Sequence, residues 1–160
     1  MKITKIISLM ALAACAFTAN ADVIGEVSTT WRVMGNDKVV VEAINDDEIK
    51  GVTCHISYAK TGGISGNLGF AEDPSRFSIA CRQTGPLVSI SPVPKQAEIS
   101  AFKRSILFKE MKVVRMIDTK NNVMVYLIYA TKLINGSPFN SISSVPMMPW
   151  GTVAPQIAVK

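Results

Sequence analysis

The residues best placed to do chemistry lie in one glycine-rich stretch, Ala59-Lys60-Thr61-Gly62-Gly63-Ile64-Ser65-Gly66-Asn67-Leu68-Gly69-Phe70-Ala71-Glu72-Asp73. Gly62, Gly63, Gly66 and Gly69 permit backbone angles that other residues avoid, so successive amides could curl around an anion. Lys60 would add positive charge, with Thr61 beside it and Glu72 and Asp73 closing the stretch. No Lys-Ser/Thr follows the last glycine, so this is not a phosphate-binding P-loop. The bland alternative is a long loop whose glycines serve turns alone. Ser57-Tyr58-Ala59-Lys60 and Lys60-Thr61-Gly62 mimic two serine β-lactamase motifs, but here both share one lysine. In those enzymes the motifs come from separate elements of a larger chain, which makes the match a coincidence.

Other chemistries find less support. His55, the one histidine, adjoins Cys54. Strand neighbours point to opposite faces, so the two cannot converge on one metal ion. His55 reads as a surface imidazole, and Ser57 on its face gives poor geometry for nucleophilic attack. The methionines are scattered, which favours core filling over copper binding. Asp46-Asp47-Glu48 lacks calcium-loop spacing and reads as an acidic turn or the start of a short helix over Asp46–Lys50. No metal or cofactor is implied. The formal charge of +5 is spread without a basic run, which excludes a nucleic-acid arm.

The elements that must position these residues read as strands. Between Asp22 and Lys160 there are 14 Ile and 16 Val against 5 Leu, a β-branched bias suited to pleated, half-buried surfaces. Val52, Cys54, Ile56 and Tyr58 alternate with Thr53, His55 and Ser57, and Phe77, Ile79 and Cys81 alternate within Arg76–Gln83. Gly35–Lys38 joins strands over Thr29–Met34 and Val39–Ile44. Thr119–Asn122 joins Lys112–Asp118 to Val123–Leu133. Val123–Ala130 is apolar on both faces and belongs inside a sheet. Phe102–Met111 fits neither period. All eight prolines lie at Pro74 or later, punctuating the second half. The expectation is one compact antiparallel domain, all-β or β-rich α+β, sandwich or barrel-like.

Met1–Ala21 reads as an export signal, with Lys2 and Lys5, an apolar Ile6–Ala14 and the small-residue site Ala19-Asn20-Ala21. Its removal takes both lysines and lowers the charge from +5 to +3. Leu12-Ala13-Ala14-Cys15 is a competing lipobox, in which Cys15 would carry a lipid tether; both routes lead out of the cytoplasm. The longest later apolar run, Val123–Ala130, is about half a membrane helix. Cys54 and Cys81 then remain, both on apolar strand faces in an oxidising compartment, and are expected to form a disulfide bracketing the glycine stretch. Without C-x-x-C spacing they do not read as a redox pair.

Several strings carry a resemblance: Val41-Glu42-Ala43, Val52-Thr53-Cys54, Ala59–Asp73, Ile79-Ala80-Cys81, Gly85-Pro86, Lys112-Val113-Val114-Arg115, Tyr126-Leu127-Ile128-Tyr129, Gly136-Ser137-Pro138 and Ser141–Pro146 ending at Trp150. Their order and spacing, from about Ile24 to Trp150, resemble the CreA family of small exported proteins of Gram-negative bacteria. The resemblance implies a periplasmic protein associated with a carbon-source-responsive two-component system, and cleavage just before Asp22. It implies no reaction, cofactor or catalytic residue. Leu12–Cys15 and a flexible tail, Gly151–Lys160, lie outside it.

Three functions remain open on these residues. One is a periplasmic binding or accessory module recognising a small anionic ligand or an envelope protein near Lys60–Asp73. Another is a small enzyme using Lys60, Glu72 and Asp73. The third is a protein-interaction surface on an exposed sheet edge.

Overall fold

The computed structural model describes residues 22–31, 35–62, 77–99, 111–131 and 136–160. Among these described residues, eight strands form two four-stranded antiparallel meanders. The first holds β1 (Asp22–Thr30), β2 (Asp37–Asn45), β3 (Ile49–Lys60) and β4 (Phe77–Ser89) in that order. The second holds β5 (Gln96–Glu98), β6 (Met111–Asp118), β7 (Val123–Ala130) and β8 (Asn140–Pro146). No described residue is helical. The architecture is an all-β sandwich, as the β-branched bias and alternation led us to expect.

Alternation decides which side chains meet between the sheets. From the first sheet come Val40 and Ile44, Cys54, Ile56 and Tyr58, and Phe77, Ile79 and Cys81. From the second come Met111, Val113 and Ile117 of β6, then Met124, Tyr126 and Ile128 of β7, all buried. Cys54 and Cys81 sit directly opposite one another on β3 and β4 and are joined by a disulfide. The expected bridge therefore staples adjacent strands from inside the core. β7 lies between β6 and β8, the interior position its composition called for. The two sheets also meet edge to edge, where the Cys81 amide donates to Ser143 Oγ at 2.8 Å.

Local details follow from single residues. Asp118 Oδ1 accepts the amides of Lys120 and Asn121, both at 3.1 Å, and Asn122 takes φ 56°, closing the β6–β7 turn. These bonds from Asn121 and Lys120, the Asn121 side chain foremost, hold the Asp118 carboxyl below its ordinary range. Gly51 has φ +87° at a register shift between β3 and β4, and a Cβ there would collide with the Pro86 carbonyl. The shift lets β4 run through Gly85-Pro86 to Ser89, beyond its expected end at Gln83. Gly51→Ala is expected to destabilise the fold by about 2–3 kcal/mol, read as a lower urea midpoint at unchanged slope.

Three expectations need correction. Of the two readings of Asp46–Lys50, the acidic turn holds and the helix does not: 46–48 make the tight connection between β2 and β3, and Ile49 and Lys50 open β3. Asp46 Oδ1 accepts the amides of Glu48 and Ile49 at 2.9 and 3.2 Å, a local bond that competes with helix formation. β1 begins at Asp22, upstream of the expected Thr29–Met34 arm, and all nine of its residues are exposed. Gly151–Lys160, read as a flexible tail, is hydrogen-bonded to the body: Gln156 and Lys160 donate to the carbonyls of Leu87 and Val93. Its alternation, Ile157 and Val159 against Gln156 and Ala158, was the overlooked strand-like signal. Of Phe102–Met111, only Met111 falls among the described residues, where it opens β6.

Candidate functional site

Two places in the fold gather polar or accessible side chains: one is buried, the other open. The buried one begins with Arg115. On β6 it shares parity with Val113 and Ile117, so the pleat turns its side chain into the core, where it is 1% exposed. Its Nη1 donates to both oxygens of Asp46 at 2.9 Å, and its Nη2 to Glu48 Oε2 at 2.7 Å. Tyr126, opposite it on β7, donates its hydroxyl to Asp46 Oδ2 at 3.1 Å. Burial pulls the guanidinium down, but the Asp46 charge and the bonds to Asp46 and Glu48 outweigh it, leaving Arg115 above its ordinary value. Burial and the Asp46 charge push the Tyr126 phenol well up. The second sheet thereby grips the β2–β3 turn of the first. With its polar groups turned inward and its members opposed in charge, this cluster locks the sheets together rather than offering a place for substrate.

The open site lies at the root of the glycine-rich stretch. Val39, Ser57, Tyr58, Ala59, Phe77, Ser78 and Phe139 line a groove of about 670 Å³. Ala59 immediately precedes Lys60, and Phe77 begins β4 on the far side of the stretch, so the disulfide-tied strands form the groove wall. Phe139, just before β8, brings the second sheet to the rim. Its ring meets Phe77 edge to face, with centroids 5.0 Å apart and planes at 88°. Ser57 Oγ and Ser78 Oγ are 2.8 Å apart across the strands. Tyr58 directs its hydroxyl to the buried Glu42 Oε1 at 2.8 Å.

The sequence-derived site is represented here by its first three residues. Lys60 ends β3, half-buried, with Thr61 and Gly62 following. The Gly62 amide donates to Asp37 Oδ1 at 2.9 Å, and a Cβ on Gly62 would strike the Gly35 and Asn36 backbone. The start of the stretch is thus pinned to the β1–β2 turn, and this amide serves the chain's own carboxylate. Gly63, Gly66, Gly69, Glu72 and Asp73 lie outside the described residues. His55 is half-buried on the outer face of β3, between Ala43 and Ala80.

Chemically, the groove offers aromatic and aliphatic surface with a pair of hydroxyls. Tyr58 is the one ionisable side chain in its described lining, and its proton is directed inward. This suits holding an apolar body; it does not assemble an acid and a base around a reacting atom. Sequence reasoning missed Phe139, Val39 and Glu42. Glu42 shares the parity of Val40 and Ile44, which marks an inward carboxylate. Phe139 follows the turn residues Gly136-Ser137-Pro138, but only the approach of the β8 edge to β4 brings it near Phe77.

The family model described as "CreA protein" matches residues 24–150. Protein CreA of Escherichia coli (strain K12) is 44% identical over 155 residues, covering 94% of this chain and 99% of that protein. Protein CreA of Escherichia coli O157:H7 matches to the same extent. No solved structure matches significantly. The chain belongs to the CreA family.

Proposed function

We propose that this protein is an exported, periplasmic binding or accessory module, serving the envelope or carbon-source-responsive regulation. It holds a small ligand with an apolar body in the groove at the root of the glycine-rich stretch. The observation that carries this reading is the lining itself: Phe77, Phe139, Val39 and Ala59 surround the space, with Ser57 and Ser78 as hydrogen-bonding partners. Export is supported by the Ala19-Asn20-Ala21 signal site and by a disulfide suited to an oxidising compartment. A diacyl group on Cys15 would instead tether the same module to a membrane, and the mass of the mature N-terminus distinguishes the two routes. Binding, not catalysis, is the role the described lining favours.

The probe 1-anilinonaphthalene-8-sulfonate, an apolar body carrying one negative charge, tests this directly. The full mature chain is expected to bind it saturably at one site. Phe139→Ala is expected to weaken binding about tenfold, the order of one lost aromatic contact, with a modest fall in Tm from the lost ring contact with Phe77. Equal affinity in the variant would count against the groove.

A further inference from the structure

The last residues of the sequence occupy a place that an external chain could fill. Trp150 and Val153 exchange backbone hydrogen bonds at 2.9 and 3.1 Å around Gly151, which has φ 61°, so the chain reverses there. The following segment runs parallel to the end of β4, with bridges Val88–Gln156 and Val93–Val159. Gln156 donates to Leu87 O at 2.8 Å and accepts from Ser89 N at 2.9 Å. Ala158 accepts from Val93 N at 2.8 Å, and Lys160 donates to Val93 O at 3.0 Å. The Ala158 amide donates to Ser89 Oγ at 3.0 Å.

These contacts have the form of strand addition: main-chain bonds supply attachment, and alternate side chains supply selection. Ile157 and Val159 point to the core and are only partly buried; Gln156, Ala158 and Lys160 are exposed. The segment forms one wall of two surface depressions, Gln156 and Ile157 facing Ile90 and Pro92 in the first, Ile157 and Val159 facing Ile117 and Met147 in the second. Ile157 and Val159 pack against the core from its edge, and the segment borders solvent-open depressions along its length. The receiving strip, residues 87–93, lies within the family match of 24–150, and the occupying segment lies beyond it.

We propose that the strip formed by the end of β4 and Val93 is a strand-addition groove. It is held closed by Pro155–Lys160 and takes, in exchange, an extended segment of a second protein with aliphatic residues at alternate positions. This surface is separate from the small-ligand groove and does not depend on that reading. While the segment is tethered, its millimolar-scale effective concentration keeps competitors out.

The test uses the full chain carrying a protease recognition sequence between Gly151 and Thr152, both exposed. Before cleavage, a fluorescein-labelled peptide copying Val153–Lys160 is expected to bind weakly. After cleavage it should exchange for the nicked segment at a 1:1 ratio, with affinity at least a hundredfold higher. A peptide of unrelated sequence keeping only the aliphatic residues at the positions of Ile157 and Val159 should also bind. A copy with Ile157→Asp and Val159→Asp should not. The proposal is overturned by no uptake after cleavage, by equal binding before and after, by binding of the Asp-bearing peptide, or by binding of the native sequence alone. Loss of the near-ultraviolet dichroism on nicking would also overturn it, by showing the segment to be a fixed part of the core.

Discussion

Arg115→Met is expected to lower stability by about 3–5 kcal/mol, the range found when one partner of a buried ion pair is removed. The reason lies with the group left behind. Asp46 is 4% exposed and would keep only the Tyr126 hydroxyl and two backbone amides as donors. Glu48, whose side chain is 44% exposed, can turn to water and contributes little to the loss. Asp46→Asn supplies the control. An amide oxygen can still accept from Glu48 and Ile49, so the turn keeps its local bonds while the buried negative charge disappears. The double variant Arg115→Met, Asp46→Asn should therefore be more stable than Arg115→Met alone, by about 1–3 kcal/mol. Urea titrations of the four proteins complete the cycle. If Arg115→Met costs less than about 1 kcal/mol, the cluster does not hold the sheets together.

The second large effect concerns the bridge between β3 and β4. Cys54→Ala with Cys81→Ala is expected to cost about 3–4 kcal/mol in the chain-entropy model, given a sequence separation of 27 residues. Both cysteines are 2% exposed or less, so replacing both avoids leaving a lone buried thiol. The consequence extends to the small-ligand groove, because Ala59 and Phe77 lie where the two stapled strands lead into the glycine-rich stretch. Probe affinity should fall in the alanine pair even at temperatures where the chain stays folded. Thiol titration of the denatured, unreduced mature chain should find no free Cys54 or Cys81; two reactive thiols would contradict the bridge.

How much of this was legible before the structure depends on the range of the interaction. Strand parity is local, and it placed Cys54, Ile56, Tyr58, Phe77, Ile79 and Cys81 on inward faces. Pairing the two cysteines followed from that parity and the expected export signal. The same parity carried a message that went unread: Arg115 lies between Val113 and Ile117, and Glu42 between Val40 and Ile44, so both had to point inward. Their partners could not be read locally. Asp46 is separated from Arg115 by 69 positions and from Tyr126 by 80, and only the stacking of two meanders joins them. The Asp46–Lys50 helix failed for a related reason, since an Asp that accepts its own following amides favours a turn. At the candidate site, Lys60 ends β3 next to Ala59 of the groove lining. The apolar character of the groove came from Phe139, whose position depends on the approach of the β8 edge to β4.

The central functional claim is that the root of the glycine-rich stretch is a binding groove. Chemical-shift mapping of the isotope-labelled mature chain with 1-anilinonaphthalene-8-sulfonate tests it most directly. The largest perturbations should converge on Val39, Ser57, Ala59, Phe77, Ser78 and Phe139 and saturate with a single affinity. Perturbations centred elsewhere, or none that saturate, would contradict it.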